Sequence, residues 1–394
     1  MGMAEAANSI MTAGQILFWT SAALLAYVYA GYPLLVYLAG VLFPKPVIRR
    51  RIEPQVTVLI TAFNEEGVLP AKLENTLKID YPSDKLDILV ASDGSTDRTD
   101  EIARDWRSRG VRIFRQEGRL GKTETQNNAV KHATGEIILF SDATTMYRED
   151  VLTSLLPAFA DETVGCVAGR LIYVDNESTN VGQGAQGYWS YETWLKTAES
   201  RACSLIGASG CLYAVRKSAY EPMYPEACSD FLICTSLYRK GLRSVFAPDA
   251  ICFEQTNRRL DDELKMRVRV ISQTFTDLWR NRDMLSPLRS GFFAIELLSH
   301  KVLRYAVPLV LFAFLLASIL LARGSTLYTL ALFAQVVFYS LALVGWLLER
   351  AGKRLSVLAM PLYFVLVNLA SVVGFYKFLR GENYTRWEPI RQAR

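Results

Sequence analysis

Four stretches of the chain carry no charged residue: Ala6–Pro44, Tyr305–Ala322, Gly324–Leu348 and Leu355–Tyr376. Each reaches or approaches the roughly 20 apolar residues that cross a bilayer core as a helix. The first has no basic start and no small-residue cleavage site, and it exceeds the length of a signal peptide, so it reads as a retained anchor through Ile16–Phe43. Between the first and second stretches lie apolar runs of strand length at Val56–Ala62, Asp87–Ser92, Val111–Gln116, Glu136–Thr145, Val164–Val174 and Val245–Gln255. Helical patterns near Glu66–Ile79, Asp97–Arg109, Thr123–Ala133 and Glu149–Ala160 separate most of them. This alternation predicts an α/β fold with a doubly wound, mostly parallel sheet. An aromatic-rich helix, Gln186–Ser204, follows with Tyr188, Trp189, Tyr191 and Trp194. Arg258–Arg289 is basic and amphipathic, which suits a helix lying on an anionic membrane surface. The expected organisation is an anchor (1–46), a cytoplasmic α/β domain (47–256), interface helices (257–300), membrane helices (301–380) and a tail (381–394).

The net charge of +5 is too small to imply nucleic acid as a partner, but its placement is informative. Lys45, Arg49, Arg50 and Arg51 follow the first span and put the middle of the chain in the cytoplasm by the positive-inside rule. Three further spans would carry the C-terminus outside, with Arg350, Lys353 and Arg354 inside. Arg380, Arg386, Arg391 and Arg394 pull the other way. Four spans are expected, the last in tension with its own tail. The six cysteines form no CxxC pair and read as reduced, mostly buried thiols. With only His132 and His300 in the chain, a histidine triad or a histidine-rich metal site is excluded. Chemistry must rest on carboxylates and cations.

Three strand-like runs end on polar groups, and in an open parallel sheet these carboxyl ends share one edge, where ligands bind. Asp93, Asp97 and Asp142 would then line a cleft, with Lys122 on the connection between them. Carboxylates converging beside a lysine suit a metal-bridged phosphate ligand. Gly and Ser in DGSTD (Asp93–Asp97) serve a tight turn and a helix cap, but capping leaves a carboxylate at the end of an apolar strand unexplained. Asp230 has a capping alternative of the same kind. The string GQGAQG (182–187) fits a dinucleotide fingerprint by letter only, because it follows a polar loop instead of the opening strand.

In their order along the chain these segments resemble the membrane-bound family 2 glycosyltransferases, the group of cellulose, chitin and hyaluronan synthases. The resemblance rests on TAFNEE (Thr61–Glu66), SDGSTD (Ser92–Asp97), RLGKTETQNNA (Arg119–Ala129), SDATT (Ser141–Thr145), GASGCLYAVR (Gly207–Arg216) and SDFLICTSLYRKG (Ser229–Gly241). It implies a GT-A nucleotide-sugar fold, a Mg²⁺ or Mn²⁺ ion, a UDP-sugar donor, inversion at the anomeric carbon, and a lipid-linked or oligosaccharide acceptor. By resemblance Asp93 reads the uracil ring, Thr61 and Glu65 line the nucleotide site, Asp142 holds the metal and Asp230 is the base. Lys122 and Arg267, the latter matched to the QxxRW arginine, hold the diphosphate. Trp189, Tyr191 and Trp194 are sugar-stacking candidates for the acceptor. The chain departs from the family at Asp142-Ala-Thr144, where DxD keeps one carboxylate, at Ser229-Asp230, and at Leu264–Val268, which lacks the Gln and Trp of QxxRW. The implied setting is a multi-pass protein of the bacterial inner membrane, among its lipids. A processive synthase that translocates its product and a non-catalytic nucleotide-sugar-binding subunit are the alternative readings.

Overall fold

The structure is a computed structural model, and residues 2–174, 179–257 and 259–386 are described. Arg391 and Arg394 of the basic tail lie outside the described residues. The central strands form because their residues are apolar on both faces. β1 (Val56–Ala62) is buried throughout, as parallel strands covered on both sides must be. Its alternate residues enter two cores. Val58 and Ile60 pack on one face with Leu69, Leu73 and Leu152, and Leu59 packs on the other with Ile138, Phe140 and Tyr213.

The remaining strands are β2 (Leu86–Ser92), β3 (Val111–Arg115), β4 (Ile137–Asp142), β5 (Met146–Tyr147), β6 (Val164–Val174), β7 (Tyr213–Arg216) and β8 (Arg243–Gln255). They form one sheet in the order β3-β2-β1-β4-β7-β6-β8-β5. The β3-β2-β1-β4 half is parallel and doubly wound as expected, and β6 pairs with β8 in parallel. β7 enters antiparallel to both β4 and β6, and β5 is antiparallel to β8, so the whole sheet is mixed.

In chain order the helices are α1 (Gly2–Ala26), α2 (Tyr32–Leu42), α3 (Leu69–Leu77), α4 (Thr99–Asp105), α5 (Lys122–Val130), α6 (Val151–Leu155) and α7 (Asn180–Ala202). They continue as α8 (Ser229–Arg239), α9 (Leu260–Arg280), α10 (Pro287–Ser290), α11 (Phe292–Leu297), α12 (Arg304–Leu321), α13 (Thr326–Arg350) and α14 (Ala359–Leu379). Single π-helical turns, Tyr27–Gly31 and Leu298–Leu303, join α1 to α2 and α11 to α12.

Asn8–Leu42, Phe292–Leu321, Thr326–Arg350 and Ser356–Leu379 are each long and apolar enough to cross a membrane. α1 packs along α12 and the start of α13, with Phe18 against Phe314 and Tyr328 at 4.8 Å between ring centres. α14 behaves differently, lying along the amphipathic α9. Gly374 meets Ile271, and Phe375 and Phe378 pack on Phe275 at 5.0 and 5.7 Å. Its first turns press on α7, where a Cβ on Gly184 would come 2.5 Å from the Cβ of Tyr363. The GQGAQG string thus serves close helix packing.

Candidate active site

The β1–α3 and β2–α4 loops at the carboxyl edge of the sheet are fastened to each other. Asn64, in the left-handed region at φ 52°, accepts from the Thr96 amide at 2.8 Å. Asp97 accepts from the Glu66 and Thr99 amides at 3.1 and 3.0 Å, so its carboxylate shapes the loop and the start of α4. Thr61 and Asp142 are register partners across β1 and β4, and the Thr61 hydroxyl accepts from Gln126 at 3.3 Å. Glu65 is buried, and its amide donates to Thr99 Oγ1 at 2.8 Å.

Asp93 was expected to read a uracil ring. Its carboxylate is fully enclosed and accepts from the amides of Leu120 and Gly121 at 2.8 and 3.0 Å and from Thr125 Oγ1 at 2.9 Å. A strand-end carboxylate is affordable here because the RLGK loop satisfies it. The work visible in this geometry is to pin that loop and to set Lys122 at the start of α5.

Lys122 forms an ion pair with Asp142 at the end of β4. Burial opposes the Lys122 ammonium, but the charges of Asp142 and Asp230 outweigh it and raise its pKa. Gly210 brings these groups together, since a Cβ there would sit 3.2 Å from Asp230 Oδ2 and 3.6 Å from Lys122 Nζ. Asp230 lies in the first turn of α8, two residues past the N-cap Cys228, and Oδ1 accepts from Cys228 Sγ at 3.1 Å. The capping alternative therefore does not describe it.

Arg267, expected at the diphosphate, has its guanidinium engaged between helices. It is locked into α9 and α14, paired with Glu263 at 3.0 Å, bonded to Tyr363 Oη, and stacked over Tyr188 at 4.9 Å. The arginine that shares the site with Asp142 and Asp230 is Arg269. Burial holds Arg269 below the ordinary arginine value, against the pull of Cys228, Asp142 and Asp230. A QxxRW register two residues later, Met266–Val270, would have found it. Asp277 on α9 lines the same region, accepting from Tyr224 Oη and from the Cys228 amide at 3.1 Å.

The three acceptor candidates diverge. Trp189 faces the domain, edge-on to Tyr173 and with Lys196 5.2 Å from its ring centre. Tyr191 faces the membrane helices, under Arg304 at 5.4 Å. Trp194 stacks on Tyr37 of α2, 44% exposed, away from the other two.

Two further groups lie beside the one-carboxylate motif. Glu254, from β8, accepts from Thr144 Oγ1 at 3.2 Å and so brings a second carboxylate beside the loop that lost its own. Beneath the loop, the fully buried Lys72 donates to Ser141 Oγ at 2.9 Å and to the Thr145 carbonyl, over the Tyr147 ring at 3.5 Å. Burial holds Lys72 well below the ordinary lysine value. Among the described residues no three His, Cys, Asp or Glu side chains form a ready metal cage. Asp142, Thr144 and Glu254 offer only oxygen donors, which fits a hard divalent cation that takes its remaining oxygens from phosphate and water.

The chain past α14 returns to this edge. The Tyr384 carbonyl accepts from Gln273 at 2.9 Å, and the Thr385 carbonyl lies against Gly121, where any Cβ would collide with it.

A lysine–carboxylate pair beside a second carboxylate and an arginine, at the carboxyl edge of a sheet with this strand order, has the charges to hold a phosphate ligand with a divalent cation. Residues 57–223 match the family description Glycosyl transferase family 2. The chain carries a family 2 glycosyltransferase domain. Its fold is GT-A, as in the mannosyltransferase PcManGT from Pyrobaculum calidifontis, solved in complex with GDP-Man and Mn²⁺. The match there is 25% identity and a TM-score of 0.71, over 93% of this chain and 100% of that one.

Curated relatives include an N-acetylglucosaminyltransferase of Rhizobium meliloti (27% identity over 63% of this chain) and a poly-beta-1,6-N-acetyl-D-glucosamine synthase of Staphylococcus aureus (26% over 62%). A beta-monoglucosyldiacylglycerol synthase of Nostoc is 26% identical over 47% of this chain. The matches span 62%, 60% and 42% of those proteins' own lengths.

Proposed function

We propose that this chain is an inverting glycosyltransferase that moves a sugar from a nucleoside-diphosphate donor, a UDP-sugar by family resemblance, to a lipid-linked or saccharide acceptor at the membrane. The observation that carries this reading is the Lys122–Asp142 pair set against Asp230 and Arg269 on one cleft edge. Lys122 and Arg269 take the donor diphosphate between them and stabilise the charge that develops as it leaves. Asp230 accepts the proton of the acceptor hydroxyl while that oxygen attacks the anomeric carbon from the face opposite the diphosphate. The new carbon–oxygen bond forms as the bond to phosphate breaks, and the electron pair departs with the diphosphate. Cys228 orients the Asp230 carboxylate. Asp142, with Thr144 and Glu254, would hold a Mg²⁺ or Mn²⁺ ion, which supplies further charge neutralisation at the diphosphate.

The same reading assigns topology. α14 stays beside α9 along its length, and the chain beyond it reaches Gln273 and Gly121 of the catalytic edge. Three crossings are then α1–α2, α12 and α13, with α14 lying in the interface between α9 and α13, where Phe364 meets Phe338. Lys45, Arg350, Lys353, Arg354, Arg380 and Arg386 then share the cytoplasmic side with the catalytic domain. This arrangement removes the tension between a fourth span and a basic tail.

The test is nucleoside-diphosphate release from UDP- and GDP-sugars by the membrane-embedded protein, with Mn²⁺, Mg²⁺ or EDTA. One donor should be consumed in a metal-stimulated reaction that Asp230→Asn abolishes. Binding of nucleotide sugar with no turnover in any membrane extract would favour the non-catalytic subunit instead.

A further inference from the structure

A charged side chain is sealed inside the protein directly beneath the turn that carries Asp142 and Thr144. Lys72 lies on the core face of α3 with Leu69, Leu73 and Thr76, fully shielded from solvent. A buried cation is costly, and an apolar side chain of similar volume often gives equal or greater stability. Core packing alone therefore does not explain a lysine here. Its acceptors are neutral ones, Ser141 Oγ at 2.9 Å and the Thr145 carbonyl, with the Tyr147 ring centre 3.5 Å away. Burial is the dominant influence on its ammonium and holds it well below the ordinary lysine value. Cys252, Asp142, Cys211 and Glu254 act in the opposite direction, so the group is in electrostatic reach of the cleft carboxylates.

The two acceptors bracket the one-carboxylate motif. Because the Ser141 hydroxyl accepts from Lys72, its own proton is directed elsewhere, and it donates to the Asp142 carbonyl at 3.2 Å. The Thr145 amide donates to that same carbonyl at 3.3 Å and closes the turn, while the Thr145 carbonyl is held by Lys72. One ammonium thus ties down both ends of the segment between Ser141 and Thr145. About one turn further along α3, Asn75 exchanges two bonds with the backbone of Tyr147 in β5, at 2.9 and 2.7 Å. Thr144, inside the bracketed segment, reaches Glu254 at 3.2 Å. Affinity for a hard cation depends on the charge of its donors and on the rigidity with which they are held. A motif left with one carboxylate has less charge to offer, so rigidity has to supply more.

We infer that Lys72 is a positioning residue for the divalent cation, fixing the Asp142–Thr145 turn so that Asp142 and Thr144 are presented together beside Glu254. Lys72 itself touches neither the ion nor the nucleotide. It acts through Ser141 and through the backbone of the turn. This inference rests on the reading of Asp142, Thr144 and Glu254 as the donors for Mg²⁺ or Mn²⁺.

The experiment titrates Mn²⁺ into the full chain in nanodiscs, with saturating UDP or GDP, and reads bound ion from the loss of the free Mn²⁺ signal in electron paramagnetic resonance. Lys72→Met keeps the length of the side chain and removes the ammonium. Its Mn²⁺ dissociation constant should rise by about 10–100-fold, the usual effect of removing a group that orients a metal ligand. Nucleotide binding in EDTA, which does not pass through the turn, should stay at the wild-type value and shows that the variant is folded. Ser141→Ala removes one of the two acceptors and should shift Mn²⁺ affinity the same way by less. In the double variant the loss should fall short of the product of the two, because both act through one chain of bonds. Unchanged Mn²⁺ affinity in Lys72→Met with nucleotide binding intact would overturn the inference, even if the melting temperature falls. So would tighter Mn²⁺ binding, which would make Lys72 a charge opposing the ion. If Lys72→Met does not bind nucleotide in EDTA, Ser141→Ala decides alone, and wild-type Mn²⁺ affinity there overturns the inference. Wild type that binds nucleotide but no Mn²⁺ would strike the metal donors themselves. Wild type that binds no nucleotide would strike the transferase reading.

Discussion

Arg267 and Arg269 are two residues apart on one helix and serve opposite sides of it. At about 100° per residue the two side chains diverge by about 200°. Arg267 is held against α14 by Glu263 and Tyr363, and Arg269 shares the cleft with Asp142 and Asp230. Replacing each by alanine should give opposite phenotypes. Arg267→Ala leaves Glu263 buried without its cation, a loss of about 3–5 kcal/mol for a buried pair, read as a lower melting temperature. Arg269→Ala should leave the melting temperature nearly unchanged and slow transfer by about 10²–10³-fold, as removal of one charge-stabilising donor does. The reverse pattern would return the diphosphate to Arg267.

Asp230→Asn is the sharpest test of the base. The residue is not the helix cap, so folding and nucleotide binding should survive the isosteric change. Transfer at saturating donor should fall by roughly 10²-fold or more. Near-normal transfer would move the role to another carboxylate of the cleft.

Gly121→Ala tests the returning tail. The position has φ 95°, and an added Cβ would strike the Thr385 carbonyl. Gly110→Ala is the control, with φ 88° and open space around it, and should show only the backbone strain of about 1–2 kcal/mol. Trypsin cleavage at Arg380 and Arg386 should quicken in Gly121→Ala and stay unchanged in Gly110→Ala. Equal rates in the two would mean that the tail does not rest on this loop.

Asp277 predicts a pH dependence of stability. Burial pushes its carboxyl up to about 8, against hydrogen bonds from Tyr224 and the Cys228 amide, with the Asp230 charge adding to the rise. The folded protein then keeps a proton that the unfolded chain, with an ordinary value of about 3.9, gives up. Between these two values the native state binds more protons, so stability falls as pH rises through the window and levels off above about pH 8. Melting temperature measured from pH 5 to 9 should show this slope in wild type and much less of it in Asp277→Asn.

Topology offers a check on the membrane reading. A protease site inserted after Arg380 should be protected in intact cells and cut after permeabilisation, as a site beside Lys45 should be. Cleavage of the first in intact cells would restore four crossings and carry α14 through the bilayer.

Much of the sheet was legible because its signals are local. β1 and β6 have the predicted bounds, since an apolar run between polar breaks is a strand whatever it packs on. Asp142 and Lys122 were legible as members of one cleft because strand ends and the connections that follow them in a parallel sheet share an edge by topology alone, whereas their ion pair appears only in the folded chain. The antiparallel place of β7 between β4 and β6 was not, because four residues of Tyr-Ala-Val-Arg carry no mark of direction or partner. Nor could the sequence separate Arg267 from Arg269, or Trp189 from Trp194. Periodicity says that two faces of a helix differ, and only the packed neighbours say which face meets the cleft. The same limit applies to α14, whose apolar composition fits a crossing as well as an interfacial rest. Its contacts with α9, and the return of Thr385 to Gly121, are long-range facts that exist only once the chain is folded.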